Sequence, residues 1–270
     1  MARRSPARAS STCFLGSWSR AGAVRGPPAS IPSLRPVRLV LWDIDGTLLD
    51  SGGAGPAAFP DAFERVVGRQ PRELAPMSGR TDWDIALDIL ERNGVENAES
   101  RWPAYAEALA EALAAREAEM AAQGRALPGV REAIAALEQA DGVVQTLLTG
   151  NIKPNAATKL RAFGLDGLLD LEIGAYGSDD RQRPALVAIA RERAQARHGV
   201  ELAPEDVVLI GDTPRDIEAG RASGARAVGV ATGNFTADEL DEAGADAVLA
   251  SLLDTPAVLA AVLALSDVGS

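Results

Sequence analysis

The chain has 270 residues, of which 47% are hydrophobic and 24% charged, and its formal net charge is −11. This length can form one large core, or a core domain with a smaller partner. The acidic balance argues against binding nucleic acid or an anionic membrane through bulk charge, and no apolar run is long enough to span a bilayer. The single cysteine excludes an intramolecular disulfide and a cysteine-based zinc site. We therefore expect a cytoplasmic protein that binds neither nucleic acid nor membrane.

Residues 1–36 differ in composition from the rest of the chain. They contain six arginines and no acidic residue, are rich in Ser, Ala, Gly and Pro, and lack helix or strand periodicity. This pattern predicts a disordered N-terminal tail. An organelle transit peptide has a similar composition. The Ala- and Arg-rich body of the chain favours a tail or an over-extended start of translation instead.

From residue 37 onward, short apolar segments alternate with helical ones. The predicted strands are 37–42, 143–148, 206–210, 226–230 and 246–249, and the predicted helices between them are about 128–140, 153–163, 184–198, 214–223 and 236–243. Such alternation predicts an α/β fold with a parallel sheet covered on both faces. Ligands in such sheets bind beyond the carboxyl ends of the strands, where the polar motifs of this chain stand.

One interval breaks the alternation. Between residues 51 and about 123 the pattern predicts three helices, 57–67, 82–93 and 103–122, and no strand. We interpret residues 52–123 as a helical cap over the active edge of the sheet. Residues 37–51 and 124–270 then form the α/β core.

Two carboxylates follow the first predicted strand, in the segment Asp43-Ile44-Asp45-Gly46-Thr47. Both can reach one pocket at the strand end if the backbone curls, which Gly46 permits. One carboxylate could attack phosphorus while its neighbour moves a proton. A solvated acidic turn is the alternative, but the segment is too specific for it.

Three further polar motifs stand at strand ends or helix starts. They are Thr149-Gly150-Asn151, Arg183-Pro184, and the segment 211–216 (GDTPRD) with Asp212 and Asp216. A hydroxyl, backbone N–H groups and a cation suit an anionic phosphoryl group. Acidic oxygens near Asp43 would repel one another without a hard cation, and Mg²⁺ prefers such oxygen ligands. Taken singly, each motif could also be a helix cap or a solvated side chain.

Together these motifs resemble the haloacid dehalogenase-like superfamily. The matching segments are 43–48 (DIDGTL), 149–151 (TGN), 183–184 (RP) and 211–216, in the same order and spacing, so the resemblance runs from about residue 37 to the C-terminus. It implies a Rossmann-like core, a C1-type helical cap and a Mg²⁺-dependent phosphoryl-transfer site. Phosphoglycolate-phosphatase-like proteins are the nearest general resemblance.

The resemblance also implies a role for each aspartate. Asp43 would be the nucleophile that forms an aspartyl-phosphate, and Asp45 the acid/base that protonates the leaving oxygen and then activates water. Asp43, the backbone carbonyl of Asp45 and Asp212 would bind Mg²⁺, and Asp216 would support the metal site from nearby.

The substrate would be held by residues from the remaining motifs. Thr149, with Gly150 and Asn151, would bind the phosphoryl oxygens. Arg183 stands where the family places a basic residue, which in phosphatases is more often Lys. Arg181 and Lys159 are the alternatives for that position.

Arg80 lies in a glycine-containing turn before a predicted helix of the cap. We expect its side chain to reach a carboxylate or phosphate of the substrate. An exposed helix N-terminus is the alternative.

The second aspartate favours a phosphatase or a phosphomutase over the family's dehalogenases. We therefore expect a hydrolase, acting as a monomer or homodimer, that cleaves a small phosphorylated metabolite of the phosphoglycolate or sugar phosphate class. A sugar phosphomutase of the same fold and a non-catalytic binding module are the alternatives.

Overall fold

The computed structural model of the protein describes residues 38–263. The predicted tail, residues 1–36, and the first residue of the first predicted strand lie outside this range. Within it, no helix combines the length and the apolar character needed to cross a bilayer.

Eight strands occur in the described range. They are β1 (Arg38–Trp42), β2 (Leu49–Asp50), β3 (Arg125–Ala126), β4 (Val143–Thr149), β5 (Ala175–Tyr176), β6 (Val207–Gly211), β7 (Arg226–Val230) and β8 (Ala247–Leu249). Six of them form a parallel sheet in the order β5-β4-β1-β6-β7-β8. Because β1 lies between β4 and β6, the ends of these three strands meet at the same edge. The predicted α/β class with a parallel sheet is confirmed.

Ten α-helices occur in the same range. They are α1 (Ala54–Val67), α2 (Asp82–Arg92), α3 (Ala98–Ala115), α4 (Glu117–Gln123), α5 (Val130–Glu138), α6 (Lys153–Ala162), α7 (Arg183–His198), α8 (Pro214–Ala222), α9 (Ala237–Glu242) and α10 (Thr255–Leu263). The single helix predicted over 103–122 is two helices. Arg116 interrupts it, and its guanidinium donates to Asp61 Oδ2 of α1 at 2.6 Å.

The sheet is buried on both faces, as the continuous apolar character of β1 indicates. Leu39 and Leu41 pack in a cluster with α7 and α8, whereas Val40 and Trp42 pack on the opposite face with α5, α6 and α10. Alternate residues of one strand thus contribute to two cores. Because β1 is packed on both faces, its position in the sheet is fixed, and so is the position of Asp43, the residue that follows it.

Helices α1 to α4 form an insert between β2 and β3, which pair antiparallel. The insert has its own cluster of buried side chains, in which Phe63, Tyr105 and Leu109 are fully buried. All described residues nevertheless belong to one compact unit. The division into a core of 37–51 and 124–270 and a cap of 52–123 stays a prediction.

Candidate active site

The four sequence motifs meet around one cavity of about 640 Å³. Asp43 follows β1, Asp212 follows β6 and Thr149 ends β4, so three adjacent strands deliver these side chains. The backbone N–H of Asp43 donates to Ile210 O at 2.9 Å, which ties the first motif to the neighbouring strand. Residues of the insert, including Phe59 and Arg80, also line the cavity.

Three carboxylates lie together beside this cavity. One oxygen of each of Asp43, Asp212 and Asp216 lies within 4.8 Å of the others, and all three residues are buried. Thr47 Oγ1 donates to Asp212 Oδ1 at 3.2 Å, and Thr213 Oγ1 donates to Asp216 Oδ2 at 2.7 Å. These hydrogen bonds fix the orientations of the Asp212 and Asp216 carboxylates.

Two glycines make room for the Asp212 carboxylate. A Cβ atom at Gly46, whose φ is +83°, would lie 2.3 Å from Asp212 Oδ2, and one at Gly233 would lie 1.7 Å from the same atom. Any larger residue at either position would displace the carboxylate. The curl that the sequence predicts at Gly46 is therefore a left-handed turn that glycine adopts without strain.

Arg183, the first residue of α7, partly neutralises this group. Its Nη2 atom lies 2.9 Å from Asp43 Oδ1 and also donates to Asp216 Oδ1. Burial alone would lower the pKa of Arg183, but Asp216 and Asp43 outweigh burial and raise it. Arg183 is therefore a permanently charged guanidinium among the carboxylates.

One cation does not balance three buried carboxylates. Burial raises the pKa of Asp43 to about 6, with Arg183 opposing the shift. Burial, followed by the charges of Asp43 and Asp216, raises the pKa of Asp212 to about 8. The raised pKa values of Asp43 and Asp212 mean that their ionised forms are disfavoured in the protein alone. A divalent cation would favour those ionised forms, so these hard oxygen donors fit such an ion.

At pH 8 without metal, Asp212→Asn is expected to be more stable than the unchanged protein. The folded pKa of Asp212, about 8, lies above its ordinary value of 3.8. Protonation of Asp212 therefore contributes fully to the free energy of unfolding below pH 4, and this contribution is lost as the pH rises toward 8. Asparagine does not ionise, so the Asp212→Asn protein does not lose this contribution. Thermal denaturation in EDTA should give a melting temperature higher by on the order of 5 °C at pH 8.

The difference in melting temperature should shrink as the pH falls toward 4. Added Mg²⁺ should stabilise the unchanged protein at pH 8 and narrow the gap, because it binds the folded state. If Asp212→Asn melts lower at every pH, lost packing outweighs the relieved repulsion and the interpretation is wrong.

The Asp45 carboxylate does not join the other three. It is half-exposed, and its Oδ2 atom accepts from Lys159 Nζ at 2.6 Å and from Asn151 Nδ2 at 2.8 Å. Lys159 Nζ also donates to Asn151 Oδ1 at 2.7 Å, which closes a three-residue network. Coordination of a metal by the backbone carbonyl of Asp45 stays a prediction.

The segment Thr149-Gly150-Asn151 lines the cavity as a unit. Thr149 Oγ1 accepts from Asn151 Nδ2 at 2.8 Å, and both residues are buried. The structure thus brings Thr149 into the network of Asp45 and Lys159. Their predicted contacts with phosphoryl oxygens stay predictions.

Two predicted arginines are already paired. Arg80 lines the cavity, but it donates to Asp84 Oδ2 and Asp88 Oδ2, each at 2.7 Å, and to Pro76 O at 2.9 Å. Arg181 reaches Asp84 of the insert at 3.3 Å. Of the three candidates for the family's basic position, Arg183 contacts Asp43 and Lys159 contacts Asp45.

The sequence predicts no role for Asp82, the first residue of α2. Its backbone N–H donates to Gly150 O at 2.7 Å, and its buried carboxylate accepts from Ile152 N at 2.9 Å. Burial raises the pKa of Asp82 to about 7, and Lys159 opposes the shift. Lys159, which the sequence offered as an alternative for the basic position, is buried on the same face of α6 as Asn155, four residues earlier.

Comparison with known proteins identifies the family. Residues 40–221 match the sequence profile of the haloacid dehalogenase-like hydrolases. Over 219 residues the chain is 30% identical to the tyrosine-protein kinase PtkA of Mycobacterium tuberculosis, covering 79% of this chain and 68% of that protein. Over 234 residues it is 26% identical to a phosphoglycolate phosphatase of Nitrosospira multiformis, covering 81% of this chain and 94% of that protein.

Solved structures share the fold. A hydrolase from Pseudomonas syringae superposes with a TM-score of 0.61 at 22% identity, covering 82% of this chain and 96% of that structure. The family profile covers more than half of the chain and begins inside β1, immediately before the aspartate pair. The chain therefore belongs to the haloacid dehalogenase-like hydrolases, as an enzyme of the phosphatase type with phosphoglycolate phosphatases among its relatives.

Proposed function

We propose that this protein is a Mg²⁺-dependent phosphatase that hydrolyses a small phosphorylated metabolite through an aspartyl-phosphate on Asp43. The sequence motifs predict a substrate of the phosphoglycolate or sugar phosphate class, a prediction that the lining of the cavity narrows further below. The observation that carries the proposal is the group of Asp43, Asp212 and Asp216, whose oxygens lie within 4.8 Å of one another beside a cavity lined by Thr149. The activities named for the two curated relatives, a kinase and a phosphatase, both transfer phosphoryl groups.

The donor set of the site fits a magnesium ion. Asp43, Asp212 and the backbone carbonyl of Asp45 would hold it, with Asp216 in support. When bound, the ion supplies positive charge that offsets the repulsion between the carboxylates and a phosphate dianion. Arg183 contributes the protein's own positive charge at the same place.

The two aspartates of the first motif divide the chemistry. A carboxylate oxygen of Asp43 attacks phosphorus, forming a new P–O bond while the bond to the leaving alcohol breaks. Asp45 gives its proton to the leaving oxygen and then takes a proton from the water that attacks the aspartyl-phosphate. The second attack breaks the bond to Asp43 and releases inorganic phosphate.

Neighbouring side chains position these groups. Lys159 and Asn151 fix the direction of the Asp45 carboxylate through the bonds given above. The Thr149 hydroxyl, the N–H groups of the turn at Gly150 and Asn151, and Arg183 are suited to the phosphoryl oxygens. Substrate binding by Arg80 would require that it exchange one of its present partners.

Purified protein is expected to release phosphate from p-nitrophenyl phosphate, and from some members of a phosphometabolite panel, only while Mg²⁺ is present. EDTA should reduce the rate to background, and excess Mg²⁺ should restore it, because the carboxylate group alone repels the substrate dianion. Failure to find metal-dependent turnover of any phosphomonoester would overturn the proposal.

Two alternatives give different results in the same assays. A sugar phosphomutase would move label between two positions of one sugar phosphate faster than it releases phosphate. A non-catalytic module would bind a ligand tightly without turnover.

A further inference from the structure

The cavity is large for a two-carbon phosphomonoester. Its volume of about 640 Å³ lies in the range of pockets that enclose molecules of drug size. The core contributes the aspartates and the segment after β4, whereas the insert contributes side chains that the phosphoryl chemistry leaves unused. These lining side chains are therefore available to contact the alcohol part of the substrate.

The cations that line the cavity are already committed. Among the described residues, its basic side chains are Arg80, Arg125, Lys159 and Arg183. Arg183 pairs with Asp43 and Asp216, Lys159 with Asp45, and Arg80 with Asp84 and Asp88. The lining of the described part of the chain therefore offers a substrate carboxylate no cation that lacks an acidic partner.

Arg125 is the weakest of these pairs. It lies 3.4 Å from Asp50, and 67% of its side chain is exposed, so the pair is loose and screened by water. Asp50 stands beside it on the paired strand and lines the same cavity. A carboxylate drawn toward Arg125 would therefore also approach Asp50, and the attraction would be largely cancelled.

Apolar side chains form a substantial part of the wall. Phe59 of α1 and Ile85 of α2 are buried, and Met77, in the segment before α2, is half-buried. Leu49 and Leu127 add apolar surface from the side of the core. An apolar group gains free energy by covering such surface, whereas an unpaired carboxylate would lose hydration there without compensation.

We propose, on the basis of the phosphatase function above, that the preferred substrate is a phosphomonoester whose alcohol part carries no carboxylate and no second phosphate. An apolar portion of that alcohol packs against Phe59, Met77 and Ile85. The site then selects against phosphoglycolate, because its alcohol part, glycolate, carries a carboxylate. It favours phosphomonoesters whose alcohol part is uncharged. Charge pairing inside the cavity thus sets the substrate class.

Three aryl phosphates of similar shape separate charge from size. They are phenyl phosphate, 4-carbamoylphenyl phosphate and 4-carboxyphenyl phosphate, of which only the last carries a carboxylate. We expect kcat/KM for both uncharged compounds to exceed that for the carboxylate by at least about tenfold. The leaving group of 4-carboxyphenyl phosphate is slightly better than the phenolate that leaves from phenyl phosphate. The intrinsic reactivity of the two compounds therefore cannot explain a preference for phenyl phosphate. A smaller difference, or a preference for the carboxylate, overturns the inference.

Variants in the segment before α2 test the apolar wall. Met77→Ala should lower the ratio of kcat/KM for phenyl phosphate to kcat/KM for acetyl phosphate by about threefold or more. Phenyl phosphate loses the contact between its ring and the Met77 side chain, whereas acetyl phosphate has no ring and loses no such contact. Leu74→Ala is the matched control, because Leu74 is exposed in the same segment and is absent from the cavity lining. An equal response of the two variants would overturn the role of Met77.

These results also distinguish the inference from the function on which it rests. If neither these four compounds nor any phosphomonoester of the metabolite panel is hydrolysed in the presence of Mg²⁺, the phosphatase function fails. If the panel contains a substrate but none of the aryl phosphates is hydrolysed, the function stands and the inference is wrong. If they are hydrolysed but the carboxylate is accepted as well as the amide, the function stands and the inference alone is wrong.

Discussion

Asp43→Asn is expected to lower phosphate release from p-nitrophenyl phosphate by about 10⁴-fold or more. The amide cannot attack phosphorus as the carboxylate can, and no second carboxylate of the described site replaces it. Asp45 is turned toward Lys159, while Asp216 is held by Thr213 and Arg183. Steady-state kinetics at saturating Mg²⁺ measures the loss.

The fold should survive this substitution. Asparagine keeps the shape of the side chain and removes a buried carboxyl whose pKa is raised to about 6, while Arg183 keeps Asp216 as its partner. Asp166→Asn is a matched control, because it removes the same charge from an exposed position outside the cavity lining. Activity near the unchanged level in Asp43→Asn would remove Asp43 as the nucleophile.

The position of the site in the chain could be predicted because it follows from strand order alone. Asp43, Thr149 and Asp212 each stand at the end of an apolar segment, and parallel strands align their carboxyl ends at one edge. Strand pairing in the order β4-β1-β6 then brings the three together. The separation of these residues in the chain, which is over a hundred residues between Asp43 and Thr149, does not affect this argument.

The partners of each side chain could not be predicted in this way. Whether Lys159 or Arg183 faces Asp45 depends on how α6 and α7 are rotated against the sheet. The sequence offers both cations, whereas the packed structure assigns Lys159 to Asp45 and Arg183 to Asp43. The two residues considered as alternatives for one position therefore take separate places.

Secondary structure was missed where the local pattern carries no period. Helix α10 is almost uniformly apolar, TPAVLAAVL, so it shows no stripe of buried positions to distinguish a helix from a strand. Strand β5 has two residues, which is too short for any alternation. At the break between α3 and α4, Arg116 contacts Asp61 of α1, which is 55 residues away in the chain, so no local pattern indicates this contact.

Asp45→Asn is expected to slow turnover by about 10²- to 10⁴-fold and to accumulate phosphorylated enzyme when p-nitrophenyl phosphate is the substrate. The p-nitrophenolate ion leaves without a proton, so Asp43 can still be phosphorylated, whereas water attacks the aspartyl-phosphate slowly without a base. Intact-mass spectrometry of acid-quenched samples should find one added phosphoryl group.

A substrate with a poor leaving group separates the two roles of Asp45. With an alkyl phosphate, the first step also needs the proton of Asp45, so Asp45→Asn should lose more activity than with p-nitrophenyl phosphate and should accumulate no phosphorylated enzyme. Because Asp45 is half-exposed, its replacement should leave the fold intact, and the same assays on Asp166→Asn should match the unchanged protein. Equal losses on both substrates, with no phosphorylated enzyme from either, would mean that Asp45 orients the site and transfers no proton.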